Sequence, residues 1–294
     1  SMQAVFEFNA VATFFPQSIA PTFLPGLNVS VFHGFNAGKV DKKGNNDHFK
    51  VRNCFDLYCT QGPDTTTGFN SLTGNNEHFK VIETGWCALD GMYSEKKERA
   101  ASETDRKETI LLCSTFSKKL SCAPHLFETI KSLSRTGKWN WLVQFHPKMP
   151  LEIVELYKSI QGEHLTFVET DDVVPLLQEA DVMVCDTSSV LLMFLLLNKP
   201  VVTFNNIDPK EYLLDISDES LLEASIEKAL SQPVELMDNI KMFIEQTHPY
   251  SDGKSSERVL EAVDYLLESP LPKKKPLDLI RQLKMRKRLS YWAL

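Results

Sequence analysis

The stretch that decides the fold is residues 180–204, ADVMVCDTSSVLLMFLLLNKPVVTF. Two short apolar segments, Val182–Cys185 and Val201–Phe204, have the length and composition of buried parallel strands. Between them, residues 190–197 are apolar on every face, which is typical of a crossover helix packed inside a domain. The stretch therefore predicts a strand, a helix and a second parallel strand of an open α/β sheet.

A polar cluster separates the first of these strands from the helix. It consists of Asp186, Thr187, Ser188 and Ser189. Hydroxyls and free backbone N–H groups at a helix N-terminus favour a bound phosphate, and ligands of open α/β sheets bind at the carboxyl ends of the strands. Residues of these types also form ordinary helix caps, so the cluster alone leaves a phosphate site and a cap equally open.

From residue 109 onward, strand-like and helical segments alternate, which predicts a parallel sheet with helices on both faces. The additional strands are expected at residues 110–113, 142–145 and 165–168, and the helices at 123–134, 151–160, 173–179, 219–230, 236–245 and 256–267.

The first third is less regular. Strand-like segments at residues 11–15, 29–32, 55–60 and 81–84 are separated by loops rich in Gly, Asn and Asp, with few convincing helices. The acidic, Ser-rich residues 95–107 are the best linker candidate. We therefore predict two Rossmann-like domains, residues 1–105 and 106–270, followed by a basic helix at 271–294.

An eight-residue near-repeat occurs in the first third. GNNDHFKV begins at Gly44 and GNNEHFKV begins at Gly74. Two copies are too few for a solenoid, and two similar loop-to-strand entries explain them best. Neither His48 nor His78 is therefore taken as catalytic.

Composition excludes several classes of protein. The 294 residues, with 43% apolar and 24% charged content, suffice for two ordinary domains. The six cysteines form no CxxC pair, which favours reduced thiols in a cytoplasmic protein and argues against a zinc site or other metal site. We find no signal peptide and no apolar run long enough for a membrane span.

Charge is unevenly distributed along the chain. Residues 271–294 contain eight Lys/Arg and one Asp, a balance of +7, so the remaining residues carry −7 − 7 = −14. This excludes a broadly basic nucleic-acid-binding protein. In the tail, Leu277, Ile280 and Leu283 are mixed with the cations, which fits a surface helix at an anionic membrane. The alternative is a terminal helix that packs its apolar side chains on the body of the protein.

Common nucleotide and hydrolase motifs are absent: there is no G-x-G-x-x-G after a strand, no P-loop and no G-x-S-x-G. Two histidines instead end predicted strands, His33 in VFHGFNAGK and His146 in VQFHPK. An imidazole at a strand end can take a hydroxyl proton or stabilise a leaving phosphate. Each is also explained by a structural histidine, although their parallel placement favours a functional role.

Several motifs together resemble the CDP-glycerol glycerophosphotransferase family, which includes teichoic-acid polymerases. They are HGFNAGK, FDLYCTQGP, ETGWCALD, FHP, residues 180–202 and DGKSSERVLEAV, and the resemblance spans residues 29–263. It implies a GT-B architecture, in which two Rossmann-like domains face a cleft and the second holds the nucleotide donor. It also implies transfer without a metal or another cofactor.

The resemblance also implies roles for particular residues. His33, with Gly34 beside it, matches the catalytic histidine, and His146 matches the histidine near the donor phosphates. The remaining matches are on the donor side: Asp186, Thr187, Ser188, Ser189 and Arg258, with a possible contribution from Asp252, Gly253 and Glu257, as from Gly34 beside His33.

Two departures from the family pattern bear on this expectation. The region before His33 is short for a full Rossmann domain, so the first domain is expected to be reduced or truncated, which leaves acceptor binding open. Residues 205–214 lack a glycine-containing loop, which leaves the donor open.

The predicted function is transfer of glycerol phosphate, or a related polyol phosphate, sugar phosphate or sugar, from a CDP-linked donor to a hydroxyl. The acceptor would be a cell-surface polymer or a lipid-linked molecule, and the enzyme would lie in the cytoplasm or peripherally at the inner face of its membrane. The alternatives are a UDP-sugar 2-epimerase, an ordinary GT-B glycosyltransferase and a non-catalytic nucleotide-sugar-binding module.

Overall fold

The computed structural model describes residues 2–36, 44, 46–74, 77–94, 106–270 and 273–292. The chain divides into two compact units. The first contains Ser1–Glu95 and Glu245–Leu294, and the second contains Lys96–Ile244. Each unit is built on a parallel β-sheet, which confirms the predicted fold class of an α/β protein with Rossmann-like domains.

The sheet of the first unit has four parallel strands in sequence order. Every residue of the two central strands is buried, as expected for a sheet covered on both faces. All four segments predicted as strands are confirmed, with boundary shifts of up to two residues at either end. The strands are β1 (Ala12–Phe15), β2 (Leu27–Ser30), β3 (Leu57–Thr60) and β4 (Lys80–Glu83).

Three helices of the first unit precede residue 95: α1 (Met2–Phe8), α2 (Pro63–Thr73) and α3 (Asp90–Ser94), the last preceded by a 3-10 turn at Cys87–Leu89. The sequence did not predict α2. Pro63 occupies its first turn, where the missing N–H costs nothing. Gly68 lies against the Phe49 ring, where an added Cβ would come within 2.2 Å of a ring carbon.

The near-repeat has a structural explanation in this unit. Phe49 and Phe79, one from each copy, make edge-to-face contacts with Phe69 and Tyr58, with ring centroids 5.5 and 5.0 Å apart respectively. Each copy therefore contributes one ring to a single aromatic cluster beneath the sheet.

Helix α10 (Ser255–Glu268) returns to the first unit. Its buried face, Val259, Ala262, Val263 and Leu266, packs on Leu27, Val29, Leu57 and Cys59 of β2 and β3. The predicted division instead placed residues up to 270 with the second domain. The spacing of these apolar residues shows that the helix buries one face, but it does not show which sheet that face meets.

The basic tail also lies in the first unit, where α11 (Leu279–Leu289) follows an Asp278 cap. Arg286 lies 4.3 Å from the ring centroid of Phe23, and Tyr291 stacks on Phe6 at 4.8 Å. The idea that the apolar tail residues pack on the body is wrong, because Leu277, Ile280 and Leu283 are 72%, 69% and 55% exposed. The helix is held through the guanidinium groups of Arg286 and Arg281, the latter donating to the Arg52 carbonyl oxygen, and through the ring of Tyr291 just after it.

The second unit has a six-stranded parallel sheet. Its strands are β5 (Thr109–Ser114), β6 (Asn140–Phe145), β7 (Leu165–Phe167), β8 (Val182–Cys185), β9 (Val201–Phe204) and β10 (Leu214–Ile216). Their order across the sheet is β10-β9-β8-β5-β6-β7. The two strands of residues 180–204 are confirmed at their predicted bounds, and the sequence missed β10.

All seven helices predicted within residues 106–270 are present, with shifted ends, and one of them is α10 of the first unit. Those of the second unit are α4 (Ala123–Thr136), α5 (Leu151–Lys158), α6 (Val174–Glu179), α7 (Val190–Leu195), α8 (Leu222–Leu230) and α9 (Val234–Thr247), which runs into the first unit. The predicted linker lies outside the described residues apart from residues 106–107.

The strand order of the second sheet contains a topological switch. The chain runs from β5 to β6 and β7 in one direction, then returns to place β8 on the other side of β5. Connections leaving β5 and β8 therefore diverge, and they open a crevice at the carboxyl edge of the sheet. Asp186–Ser189 begin directly after β8, at this crevice.

Candidate functional site

His33 lies on an exposed turn beyond the carboxyl end of β2. Its Nδ1 is 3.1 Å from the carbonyl oxygen of Pro16. Because a carbonyl oxygen can only accept a hydrogen bond, Nδ1 carries the proton in this contact. In the neutral imidazole, Nε2 then keeps its lone pair and can accept a proton from a substrate hydroxyl.

The turn that carries His33 is held by neighbouring strand ends. Gln61, fully buried after β3, donates from Nε2 to the Gly34 carbonyl oxygen at 3.0 Å. The Trp86 indole, after β4, donates to the Phe32 carbonyl oxygen at 3.3 Å. Phe32 itself has a φ of 58°, a left-handed conformation that costs a bulky residue about 1–2 kcal/mol. Such strain is concentrated at functional sites.

A cavity of about 120 Å³ opens beside His33. Aromatic rings, including those of Phe32, Tyr58 and Phe69, form one part of its wall. Its polar lining includes Asp47, His48, Lys50 and Arg52, and the Arg52 guanidinium pairs with the Asp47 carboxylate at 2.7 Å. The cavity therefore offers a hydrogen-bonding surface and both signs of charge next to the candidate base.

His48 belongs to this cavity, although the sequence analysis set it aside. Its ring stacks on Phe32 with centroids 5.1 Å apart. Burial and the nearby His33 lower the pKa of His48 to about 4, so it is neutral near pH 7. The near-repeat makes His48 and His78 look equivalent in the sequence. In the structure they differ, because His78 is a buried residue outside the cavity.

In the second unit, His146 follows β6 at the carboxyl edge of the sheet. Its Nδ1 accepts a hydrogen bond from the backbone N–H of Lys148 at 3.0 Å, and its ring lies 4.7 Å from that of Phe116. In the neutral ring the proton therefore sits on Nε2, which makes Nε2–H a donor. His146 also lines a cavity of about 430 Å³ together with Glu169, Thr170 and Asp171.

Asp186 is completely buried at the switch point. Its carboxylate accepts hydrogen bonds from Ser114 Oγ at 2.6 Å and from the backbone N–H groups of Thr115 and Cys122 at about 3.0 Å. These contacts tie the end of β8 to the connection between β5 and α4. They explain Asp186 as a support of the crevice, and direct contact with a nucleotide remains a prediction.

The next three residues lead into α7. Thr187 Oγ1 accepts a hydrogen bond from the backbone N–H of Ile207 at 3.1 Å. Ser189 is the N-cap residue, but its side chain makes no capping hydrogen bond to α7. The helix-cap explanation of the cluster therefore finds no support at Ser189, and a phosphate role for Thr187, Ser188 and Ser189 remains a prediction.

The predicted residues of the DGK-SER segment lie in the first unit, with His33 and Gly34, and not in the second with His146. The Arg258 guanidinium stacks 4.3 Å from the Tyr250 ring and pairs with Asp252. Its Nη1 is buried and has no hydrogen-bond partner among the described residues. Glu257 is exposed and lies 3.8 Å from Lys254.

Within the described ranges, no cluster of three or more His, Cys, Asp or Glu side chains has the arrangement of a metal site. The same residues include no helix that is both long and apolar enough to span a membrane.

A family described as CDP-Glycerol:Poly(glycerophosphate) glycerophosphotransferase matches residues 76–215. Teichoic acid glycerol-phosphate primase of Bacillus subtilis (strain 168) is 26% identical over 233 residues, which cover 74% of this chain and 60% of the relative. The chain thus spans about 60% of the length of this curated relative.

Two solved structures illustrate the shared fold. The wall teichoic acid polymerase TagF, soaked with CDPG, matches with a TM-score of 0.61 at 16% identity, over 88% of this chain and 73% of TagF. The complex of S. aureus MnaA with UDP matches with a TM-score of 0.61 at 17% identity, over 94% and 79% of the two chains. Both support a GT-B-like pair of Rossmann-like domains.

The family match and the curated relative support a CDP-glycerol glycerophosphotransferase-like family, and the TagF structures show that the fold is shared. They confirm the resemblance that the motifs indicated.

Proposed function

We propose that this chain transfers glycerol phosphate from CDP-glycerol to a hydroxyl of a cell-wall polymer or lipid-linked acceptor. The proposal rests on the family match and on one structural observation. His33 and His146, the two histidines singled out in the sequence, are held in opposite tautomers by backbone contacts. One offers a lone pair at Nε2 and the other offers an N–H at Nε2, which are the two functions that the transfer requires.

The acceptor hydroxyl would be activated by His33. Its oxygen attacks the phosphorus that bears the glycerol, forming the new P–O bond, while its proton passes to Nε2 of His33. The Pro16 carbonyl accepts from Nδ1–H throughout, which orients the ring and stabilises the imidazolium that forms. Gln61 and Trp86 keep the turn in place through the carbonyls of Gly34 and Phe32.

The leaving group would be CMP, which departs with the electron pair of the broken P–O bond. Additional negative charge then develops on its phosphate. His146 Nε2–H is suited to donate to that phosphate, and the backbone N–H groups and hydroxyls at Thr187–Ser189 lie at the crevice where an anion is favoured. The cavity beside His146 has room for part of the nucleotide. Transfer by these groups would continue in the presence of a metal chelator.

Calorimetry with CDP, UDP and GDP tests the donor class. Tight binding of CDP, with UDP and GDP at least about tenfold weaker, supports the proposal. A preference for UDP would favour the main alternative, a UDP-sugar enzyme such as a 2-epimerase, because the UDP complex of MnaA shares the fold. Binding without turnover of any donor would favour a nucleotide-sugar-binding module.

We also propose that the chain attaches peripherally to an anionic membrane at the cytoplasmic face, where a lipid-linked acceptor would be found. The support is the outward face of α11. The exposed residues of this helix are Leu279, Ile280 and Leu283 in its first half and Lys284, Lys287 and Arg288 in its second half. A helix that exposes apolar and cationic side chains together suits a headgroup interface. Sedimentation with anionic vesicles at low and high salt tests this attachment.

A further inference from the structure

A second cavity of the first unit lies at the amino-terminal edge of the four-stranded sheet, opposite the edge that carries His33. It has a volume of about 540 Å³. Leu27 at the start of β2, Asp56 just before β3 and Leu267 near the end of α10 contribute to its walls. The segment Lys273–Leu277, which leads into α11, completes it.

Three consecutive lysines line this cavity, and the structure assigns them different partners. Lys275 pairs with Asp56 at 2.6 Å, and both side chains are largely buried. Lys273 pairs with Glu77 at the surface, and its backbone N–H donates to the Glu77 carbonyl oxygen at 3.1 Å. Lys274 is exposed and has no ion-pair partner in the described part of the chain. The two pairs anchor the segment and leave the charge of Lys274 uncompensated.

The rest of the lining is largely apolar. Val11, Leu27, Leu267 and Leu277 contribute hydrocarbon surface, while Thr22 and Gln282 add hydrogen-bonding groups. A site with cations beside apolar walls suits an amphiphile that carries a phosphate, because the phosphate can meet the lysines while methylene groups meet the leucines.

Helix α11 borders the cavity, because its Gln282 lines the wall, as does Leu277 two residues before the helix. Across the described tail, four cations have no ion-pair partner among the described residues, and all are exposed. They are Lys274, Lys284, Lys287 and Arg288. The segment and the helix that border the cavity therefore carry both unpaired cations and exposed apolar side chains.

We propose that this cavity binds the phosphate headgroup of an anionic membrane lipid, with the lipid's first methylene groups against Leu267 and Leu277. The inference rests on the proposed peripheral attachment and adds a defined site to it. Binding there would fix the orientation of the first unit on the bilayer, since the headgroup would be held at one edge of its sheet.

The full chain is tested by sedimentation with phosphatidylglycerol vesicles and with phosphatidylcholine vesicles. The Lys274→Glu variant reverses the uncompensated charge without altering the two anchoring pairs. We expect retention by phosphatidylglycerol to fall at least about fivefold, the effect of one cation near an anionic surface. Lys228→Glu, an equal charge change on an exposed residue of α8, is the matched control and should bind as the unaltered chain does.

A soluble probe separates the cavity from the general charge of the tail. Dihexanoyl phosphatidylglycerol should bind the unaltered chain in calorimetry and bind Lys274→Glu at least about fivefold more weakly. Inorganic phosphate should bind far more weakly than this lipid, because it leaves the apolar walls empty. Equal binding of phosphate and lipid, or binding of phosphate alone, would overturn the lipid assignment.

Two other outcomes also overturn the proposal. If the Lys274→Glu variant still binds phosphatidylglycerol vesicles normally while the Lys284→Glu variant does not, the chain attaches through α11 and not through the cavity. If the unaltered chain sediments with neither kind of vesicle, both the headgroup site and the peripheral attachment are wrong. Measuring CDP binding in the same variants keeps the proposed transferase function separate, because Lys274 belongs to neither histidine site.

Discussion

His33 Nδ1 lies 3.1 Å from the carbonyl oxygen of Pro16, so a main-chain acceptor fixes the proton of the neutral imidazole on Nδ1. The arrangement leaves Nε2 as the free basic nitrogen. At His146 the pattern is reversed, because a main-chain N–H donates to Nδ1. Two histidines that look alike in the sequence are thereby suited to opposite roles, proton acceptance at His33 and hydrogen-bond donation at His146. Substitutions at the two positions should therefore have different effects.

Replacing His33 by Gln should abolish general-base catalysis, since an amide cannot take a proton at neutral pH. We expect kcat to fall about 10²–10⁴-fold, with CDP-glycerol binding unchanged. CMP release and calorimetry measure the two quantities. His164→Gln, at the amino edge of the second sheet, is the control and should turn over normally. Normal turnover of the His33 variant would remove it from the mechanism.

His146 should tolerate Gln better than Asn. The amide nitrogen of Gln reaches the place of Nε2–H and can still donate to a phosphate, whereas that of Asn reaches only the place of Nδ1. We expect His146→Asn to weaken CDP binding about tenfold or more, the scale of one hydrogen bond to a charged group, and His146→Gln to retain most of the affinity. Calorimetry compares them. Equal losses would show that Nε2–H is not used.

Changing both Ser188 and Ser189 to Ala tests the phosphate role of the switch-point cluster. Each hydrogen bond to a charged phosphate contributes about 1.5–3 kcal/mol, so CDP affinity should fall at least about tenfold. The melting temperature should change little, because the Ser189 side chain does not cap α7. Unchanged affinity combined with a lower melting temperature would establish a structural role instead.

The sequence predicted the second sheet well because its strands are short, apolar and regularly spaced. It missed α2, where three consecutive threonines and a glycine have low helix propensity and tertiary contacts decide the conformation. The sequence also did not predict the sheet on which α10 packs, because an apolar helix face does not identify the sheet that it contacts. Likewise, the contact between Gln61 and Gly34 joins residues 27 positions apart, a distance across which a single sequence carries no signal.

Acid should destabilise the first unit through His248. This side chain is buried and its Nε2 accepts from the Trp86 N–H at 2.9 Å, and burial lowers its pKa to about 4. The unfolded chain binds a proton near the usual value of about 6.5, so the unfolded state gains protons first as the pH falls. The stability contributed by neutral His248 is therefore present above pH ~6.5 and is lost between ~6.5 and ~4.

The expected loss from His248 is on the order of 3 kcal/mol. Melting temperatures measured from neutral to acidic pH would show it as a decline over this range. In His248→Gln, which keeps an acceptor but does not titrate, the decline should be shallower. An identical decline in both proteins would assign the acid sensitivity to other groups, with His48, whose pKa is also about 4, as the next candidate.

Transfer of glycerol phosphate is measured as CMP release from CDP-glycerol in the presence of a lipid-linked glycerol phosphate acceptor. We expect acceptor-dependent CMP release, with one glycerol phosphate added to the acceptor for each CMP formed. His33→Gln should reduce this rate about 10²–10⁴-fold. The proposed transfer is wrong if no CMP forms from CDP-glycerol while a UDP-sugar is consumed, or if the unaltered chain and the His33 variant release CMP equally.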